Sequence, residues 1–513
     1  MSPDAARFTP DDLRQLAERG VTPEEASRQL AVLAAPPACA DLDRPCTVGD
    51  GIERLEPARV DALLARHATV AAAGRVSAFV PASGAATRMF KDLLAALDAP
   101  GELAPADLGS RAESAEARAV RAYVDGLPRF AFFGHLAGAL AARGLDAGTL
   151  RAHGPWRPLV EGLLAPAGLD YAQRPKGLLA FHRAAEGVRT AFEEHLVESV
   201  ALARDRTATC RLHFTVSPEH REAFAALLAG AGAAHAARLG VLWSAGFSEQ
   251  HPDTDTVAGA TGGGPFRGGS GELIFRPAGH GALLRNLAET GGDLVFVKNV
   301  DNVTVDALKG ETSRWSRALV ALADELAVAA DGLRARLDDP ADAAAPADAA
   351  HFVRGTFGAD LAADRATLAD RLDRPVRVCG MVPNTGEPGG GPFWVRGRDG
   401  QLTPQVVESA QVAPEPGPQA VLRAATHFNP VFIACALRDR HGRAWDLERF
   451  VDPAAAIVTR KSWGGRELLA LERPGLWNGA MAGWNTVFVE VPLTVFNPVK
   501  TVLDLLRPEH QGA

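Results

Sequence analysis

"VSAFVPASGAATRMFKDLL", residues 76–94, begins as an apolar run, passes through a loop of small residues around Gly84, and continues with Thr87, Arg88 and Lys91 on a stretch that reads as a helix. Strand, tight turn and helix in that order make a building unit of an α/β domain. Small residues in such a turn let backbone N–H groups approach an anion, and the helix start adds favourable potential. Phosphate is the ligand class this loop suggests. It lacks the Lys-Ser/Thr ending of a P-loop and the three-glycine spacing of a dinucleotide fingerprint. A strand-to-helix turn without a ligand therefore stays open on these residues alone.

Working outward, "CRLHFTV" (210–216), "GELIF" (271–275) and "DLVFVKNV" (293–300) read as further strands set between helical stretches. The alternation predicts a mainly parallel sheet flanked by helices. Ligands of such sheets sit beyond the carboxyl ends of the strands, where Gly84, Ser217 and Asp301 fall. Residues 1–70 read as a helical N-terminal extension, because "FTPDDLRQLAERG" and "VTPEEASRQLAVLAA" each set Thr, Pro and acids ahead of a periodic apolar stretch. The nucleotide-binding core is expected over 71–336, with an alanine-rich helical insertion at about 92–174. Residues 337–351, rich in Ala, Asp and Pro, read as a linker or loop. Residues 352–513 supply strands joined by glycine-rich turns, then a closing strand, loop and helix, and are expected to complete the sugar and phosphate site.

The 513 residues, 47% hydrophobic and 23% charged, suit a soluble chain with a large core. A net charge of −8 offers no basic field to nucleic acid or acidic lipid, so neither is expected as a partner. The five cysteines are scattered, with no CxxC pair, which fits buried thiols in a reducing cytosol better than disulfides or a zinc site. "MSPDAARFTPDDL" is acidic and polar, unlike a signal peptide, and no long uncharged apolar run follows. A cytoplasmic protein with no membrane span is predicted.

Three more stretches bear on phosphate. In "QRPKGLLAFH" (173–182) Pro175 stiffens the approach to Lys176, and Gly177 lets the backbone pass close to a neighbour; a surface turn is the alternative. In "FRPAGHGALLRNL" (275–287) Gly279 and Gly281 flank His280, leaving the imidazole open to a ligand or merely exposed on a turn. In "DLVFVKNVDNV" (293–303) a buried strand stops on Asp301-Asn302 and delivers a carboxylate and an amide to its carboxyl end. Mg²⁺ held by one or two carboxylates plus substrate phosphates is commonly placed there, although Asp301 could instead cap the next helix.

"RPAGHGALLRNLAETGGDLVFVKNVDNVTVD" resembles the stretch of UTP–glucose-1-phosphate uridylyltransferases in which a Pro-Pro-Gly-His-Gly turn leads through a helix to a strand ending Asn-Ile-Asp-Asn. "EVPLTVFNPVKTVLDLL" (490–506) is similar to their Phe-x-Pro-Val-Lys segment, "FSEQHPDTDT" (247–256) to their Gln-containing stretch, and "PQVVESAQV" (404–412) to their Leu-Leu-Glu-x-Ala-Gln-Val. The order of the segments agrees, over residues 76–506. The whole chain also resembles a bacterial family of similar length that carries the same Pro-Ala-Ser-Gly-Ala and Gly-His-Gly-Ala-Leu stretches.

The resemblance implies a GT-A-like fold (that of nucleotide-diphospho-sugar transferases) and a nucleotidyltransferase that joins a sugar 1-phosphate to a nucleoside triphosphate, UTP by resemblance, releasing pyrophosphate with Mg²⁺ as cofactor. Ser83, Gly84, Ala85 and Thr87 would hold the triphosphate, and Gln250 and Gly279 the uracil. His280 and Asn302 would face the sugar phosphate, and Glu408 would accept from sugar hydroxyls. Asp301 would hold Mg²⁺. Arg88, Lys176 and Lys500 would neutralise the reacting phosphates, with Lys91 and Lys176 both candidates for the lysine that follows the loop. Two other readings keep the fold: a glycosyltransferase using a nucleotide sugar, against which no Asp-x-Asp motif stands at a strand end, and a non-catalytic sugar-nucleotide-binding protein.

Overall fold

Nine strands form one sheet in the order Thr47–Val48, Gly51–Glu53, Asn485–Glu490, Val376–Met381, Phe432–Ala436, Leu294–Val297, Val76–Pro81, Thr209–Thr215 and Leu242–Ser248. The computed structural model describes residues 8–98, 103, 114–362, 364–387 and 389–512. The polar stretch 1–7, and 99–102 with 104–113 of the expected helical insertion, lie outside the described residues. All neighbouring strands of the sheet are parallel except Phe432–Ala436, which runs against both its neighbours.

The Leu294–Val297, Val376–Met381 and Phe432–Ala436 strands are buried at every residue, as expected where both faces of a sheet are covered. Alternate side chains feed two cores, because successive residues of a strand point to opposite faces. Ala78, Phe296, Val378 and Ala434 pack with Leu319 and Leu322 of the long helix Lys309–Asp338. Phe79, Val295, Cys379 and Ile433 pack with Leu283, Leu287 and Trp484. The parallel strands aim their carboxyl ends at one edge. Gly84, Ser217, Gln250 and Asp301 follow four of them.

The sequence expectations need four corrections. Residues 271–275 do not enter the main sheet. Gly271 turns with φ +89, and Ile274 packs in a small separate core with Phe266 and Leu468. What remains is the two-residue strand Phe275–Arg276 against Thr256–Val257. Of residues 337–351 only 339–344 form a loop, for the rest finish the Lys309–Asp338 helix and start Ala345–Phe357, with Ala345 and Ala349 buried. Alanine is the best helix former, so an alanine-rich stretch next to a core orders readily.

The first seventy residues contain the helices Pro10–Arg19 and Pro23–Ala34, capped by Thr9 and Thr22. They also contain Leu42–Pro45, paired with Gly391–Arg396, and the two edge strands of the main sheet. Strands of two to four residues are too short to show a period of two. The closing helix is a single 3₁₀ stretch, Val502–Leu506, capped through Asp504. Among the described residues no helix is long and apolar enough to cross a membrane.

Candidate active site

Two clusters of polar side chains stand at the carboxyl edge. The first starts at the Gly84 loop. Ala82 N–H donates to the Thr215 carbonyl at 2.9 Å, tying the loop to the neighbouring strand. Ala85 then pairs with Pro175, and Ala86 N–H donates to Arg174 O at 3.2 Å. Thr87 Oγ1 donates to Ala172 O at 3.3 Å. The loop thus lies against residues 172–176 and is open on its other side. Gly84 and Ala85 are exposed, Ser83 half-buried, and a Cβ on Gly84 would meet nothing within 4 Å. Arg88 is exposed at the end of the turn Ala86–Arg88, and the helix proper begins only at Lys91.

The same pairing delivers Lys176. Its Nζ is 2.6 Å from Asp301 Oδ2 and 2.6 Å from the Val499 carbonyl. Gly177 is required beside it, because a Cβ there would come within 2.8 Å of the Phe224 ring. Lys176, not the exposed Lys91, is therefore the lysine brought to the strand ends. Asp301 makes this ion pair instead of capping a helix. Its peptide carbonyl accepts from Val499 N–H at 3.1 Å, and Asn302 bridges to Pro498.

Asn302 is 3% exposed. Its Oδ1 accepts from Asn497 N–H at 2.8 Å, while its Nδ2 is buried with no partner among the described residues. Behind Asp301, His195 donates from Nε2 to Val300 O at 3.2 Å, and burial pushes this imidazole down to about 4. Burial likewise pulls Lys298 below the ordinary lysine range, opposed by Glu198 at 2.6 Å. The 490–506 segment that supplies Val499 also sets Lys500, exposed, with Nζ 5.4 Å from the Phe428 ring centre and 5.9 Å from that of Phe496.

The second cluster surrounds His280. Gly279 sits at φ +76, and a Cβ on Gly281 would lie 2.0 Å from the Pro474 carbonyl oxygen. These glycines do not leave the histidine uncovered, as the sequence suggested. Gly281 admits the backbone of Arg473 and Pro474, and Gly279 faces the Glu472 side chain. His280 stacks on Trp477 with ring centres 4.3 Å apart, Leu476 N–H donates to its Nδ1 at 2.9 Å, and Nε2 stands 3.3 Å from Glu408 Oε1. A backbone donor at Nδ1 leaves the ring proton on Nε2. Glu408 caps Ser409–Gln411, and Asn478 Nδ2 donates to Gln411 Oε1 at 3.0 Å.

Gln250 joins this side through its own loop. Its Nε2 donates to Thr254 Oγ1 and Asp255 Oδ1, each at 3.2 Å. Arg473 binds the Thr254 carbonyl through Nε, while its N–H donates to Ala278 O, so the Gln250 and Gly279 loops share one anchor. The two clusters are linked through the glycine-rich turn. A Cβ on Gly389 would sit 2.8 Å from the Phe428 ring under Lys500, and one on Gly390 would sit 1.9 Å from Val407 O, next to Glu408.

Sequence reasoning missed Trp477, Asn478, Gln411 and the Phe428–Phe496 pair that supports Lys500. It also missed Arg377, fully buried, which donates to the Trp477 carbonyl at 2.8 Å. The Glu408–Gln411 spacing is that of a capping box and is the one signal that was available.

Residues 9–511 match the family model described as a domain of unknown function, DUF4301. No curated protein matches the sequence. Among solved structures the chain is similar to a UDP-N-acetylglucosamine pyrophosphorylase from Trypanosoma brucei, at 12% identity over 99% of this chain and 84% of that one, with a TM-score of 0.48. It is also similar to a UDP-glucose pyrophosphorylase from Leishmania major, at 13% identity over 99% and 79%, with a TM-score of 0.46.

Proposed function

We propose, for a chain that belongs to the DUF4301 family, a GT-A-type nucleotidyltransferase that joins a sugar 1-phosphate to UTP and releases pyrophosphate. The observation that carries this reading is the meeting, at one sheet edge, of an open loop of small residues with Lys176, Asp301 and the segment bearing Lys500. A phosphate oxygen of the sugar 1-phosphate attacks the α-phosphorus in line. The new O–P bond forms as the bond from the α-phosphorus to the α,β-bridging oxygen breaks, and its electron pair leaves with pyrophosphate. Such a reaction needs alignment of two anions and neutralisation of their charge more than covalent help.

The loop N–H groups at 83–85, Thr87 and Arg88 hold the triphosphate. Lys176 is already fixed by the Val499 carbonyl and Asp301, so its charge needs no reorganisation when phosphate arrives. Lys500 reaches the reacting phosphates from the platform of Phe428 and Phe496. Gln250 keeps its carbonyl for the N3–H of uracil, because both amide hydrogens are engaged in its own loop. Gly279 borders the base, and His280, Asn302 and Glu408 take the sugar phosphate and hydroxyls.

The donor set at Asp301 fits a magnesium ion shared with substrate phosphates. Its Oδ1 has no hydrogen-bond partner among the described residues, and no group of three or more His, Cys, Asp or Glu gathers there to cage an ion. Magnesium bound there by Asp301 and the phosphates would supply charge neutralisation.

The test is to incubate the purified protein with UTP, Mg²⁺ and a panel of sugar 1-phosphates while assaying pyrophosphate. Release that requires both substrates is expected, and Asp301→Ala should abolish it in a protein that still folds. Lys500→Ala should lower kcat far more than it raises KM. No pyrophosphate with any sugar 1-phosphate or any nucleoside triphosphate would end the reading. A glycosyltransferase would instead consume a nucleotide sugar.

A further inference from the structure

At the opposite edge of the sheet, the helix Arg365–Leu372 runs into the amino end of the Val376–Met381 strand, and its Arg371 is only 7% exposed. Asn485 Nδ2 donates to the Arg371 carbonyl at 3.0 Å, which fixes the residue beside the amino end of the next strand as well. Among the described residues the Arg371 guanidinium makes no hydrogen bond and no ion pair. Its Nε is buried and unpartnered, and the guanidinium carbon lies 6.0 Å from the centre of the Phe357 ring.

The other deeply buried arginines are served differently. Arg189 holds Glu186, Glu194 and Asp306; Arg377, also without an anion and with Nη2 unpartnered, is at least hydrogen-bonded, donating to Thr486 Oγ1 and Trp477 O. A buried cation without an anion is costly. Burial lowers Arg371 to about 10, which still leaves it charged at neutral pH. Of the charged groups that face it, Asp370 pairs with Arg374 at 2.6 Å and Arg374 also donates to Gly483 O, while Asp370 and Asp399 favour the charged guanidinium from a distance without bonding to it.

Arg371 lines a cavity of about 1200 Å³ that extends from there to Gln411 and Asn478, the far side of the His280 cluster. Its wall carries six arginines (371, 374, 396, 398, 449 and 460) against four aspartates (41, 370, 399 and 452), and no lysine or glutamate. A guanidinium presents a planar fork of donors matched to carboxylate and phosphate oxygens. We infer that this cavity is a second binding site, for a small molecule carrying a phosphate or carboxylate group that accepts hydrogen bonds from Arg371.

The experiment is equilibrium dialysis of the full chain against radiolabelled inorganic phosphate, with citrate as competitor to tell a phosphate preference from a carboxylate one. Lys176→Ala, which removes the cation held at the loop, serves to disable the carboxyl-edge site. One phosphate per chain should remain bound in Lys176→Ala, and its affinity should fall at least tenfold when Arg371→Met is added. Unchanged phosphate binding on adding Arg371→Met, or loss of all binding in Lys176→Ala alone, overturns the inference. Should Arg371→Met fail to fold, Arg371→Lys keeps the charge but not the fork, and its expected loss is about tenfold; parental affinity there is equally decisive against it. None of these readouts depends on turnover, so the proposed reaction and this site fail separately.

Discussion

The turns at Gly84 and at Gly279–Gly281 read alike, each leading from an extended stretch through small residues into a helix, yet they do opposite work. A Cβ at Gly84 would meet empty space, and one at Gly281 would meet the Pro474 carbonyl oxygen. The first turn rests on a neighbour by one side only and leaves its backbone free for something absent from the chain. The second is filled by the chain itself, which locks His280 between Trp477 and Glu408. A glycine can thus be needed for a ligand or for the protein's own packing, and the contact, not the motif, tells which.

Acid should produce the largest effect, and it bears on the open turn first. His195 behind Asp301 is held neutral by burial, as are His67, at about 4, and His510, at about 3. A histidine whose folded value is depressed stabilises the fold fully above its unfolded value near 6.5 and loses that contribution as pH falls toward the folded value. Each should cost roughly 1.4 kcal/mol per pH unit over that window. Melting temperature measured from pH 7.5 to 4.5 should fall steeply below 6.5, and less steeply in His195→Asn; parallel curves would detach His195 from the stability of the Asp301 end.

Gly281→Ala comes next. The clash with backbone should cost about 3 kcal/mol in urea unfolding, and a fully stable variant would mean that the Pro474 contact gives way. Third is Gln250→Ala. An unmatched buried polar group costs roughly 1–3 kcal/mol, so the parent should favour UTP over CTP by about tenfold or more in kcat/KM, and the variant should flatten that ratio; an unmoved ratio makes Gln250 a loop residue only. The smallest effect on stability belongs to Gly84→Ala, within about 0.5 kcal/mol as for surface positions, while KM for the nucleotide rises. A Gly84→Ala protein that is as unstable as Gly281→Ala would erase the distinction between the turns.

The sheet's carboxyl edge was legible because apolar strands give way to polar residues, as Leu294–Val297 is followed by Lys298-Asn299 and then Asp301-Asn302. The Lys176–Asp301 pair was not, since its members stand 125 residues apart and a Pro-Lys-Gly turn names no partner. The glycines beside His280 misled because a motif carries no record of residues 472–474, which pack against them, or of Leu476 and Trp477, which hold the ring. Phe432–Ala436 went unread: seven apolar residues after Asn-Pro give neither strand limits nor direction, and its antiparallel course is set by the strands on either side. The alanine-rich 337–351 failed for a different reason, because composition alone does not separate a solvated linker from a helix docked on a core.

The pairing of Gly51–Glu53 with Asn485–Glu490 has a kinetic side. Arg54 meets Glu490 across 436 residues, and closing so large a loop must precede any reward from the strand contacts. That edge of the sheet is therefore expected to zip last. Until it does, the apolar edge of Asn485–Glu490 waits without its neighbour, and association between unfinished chains competes with the correct closure. Refolding yield should depend on protein concentration more than on temperature, with dilution favouring the native sheet.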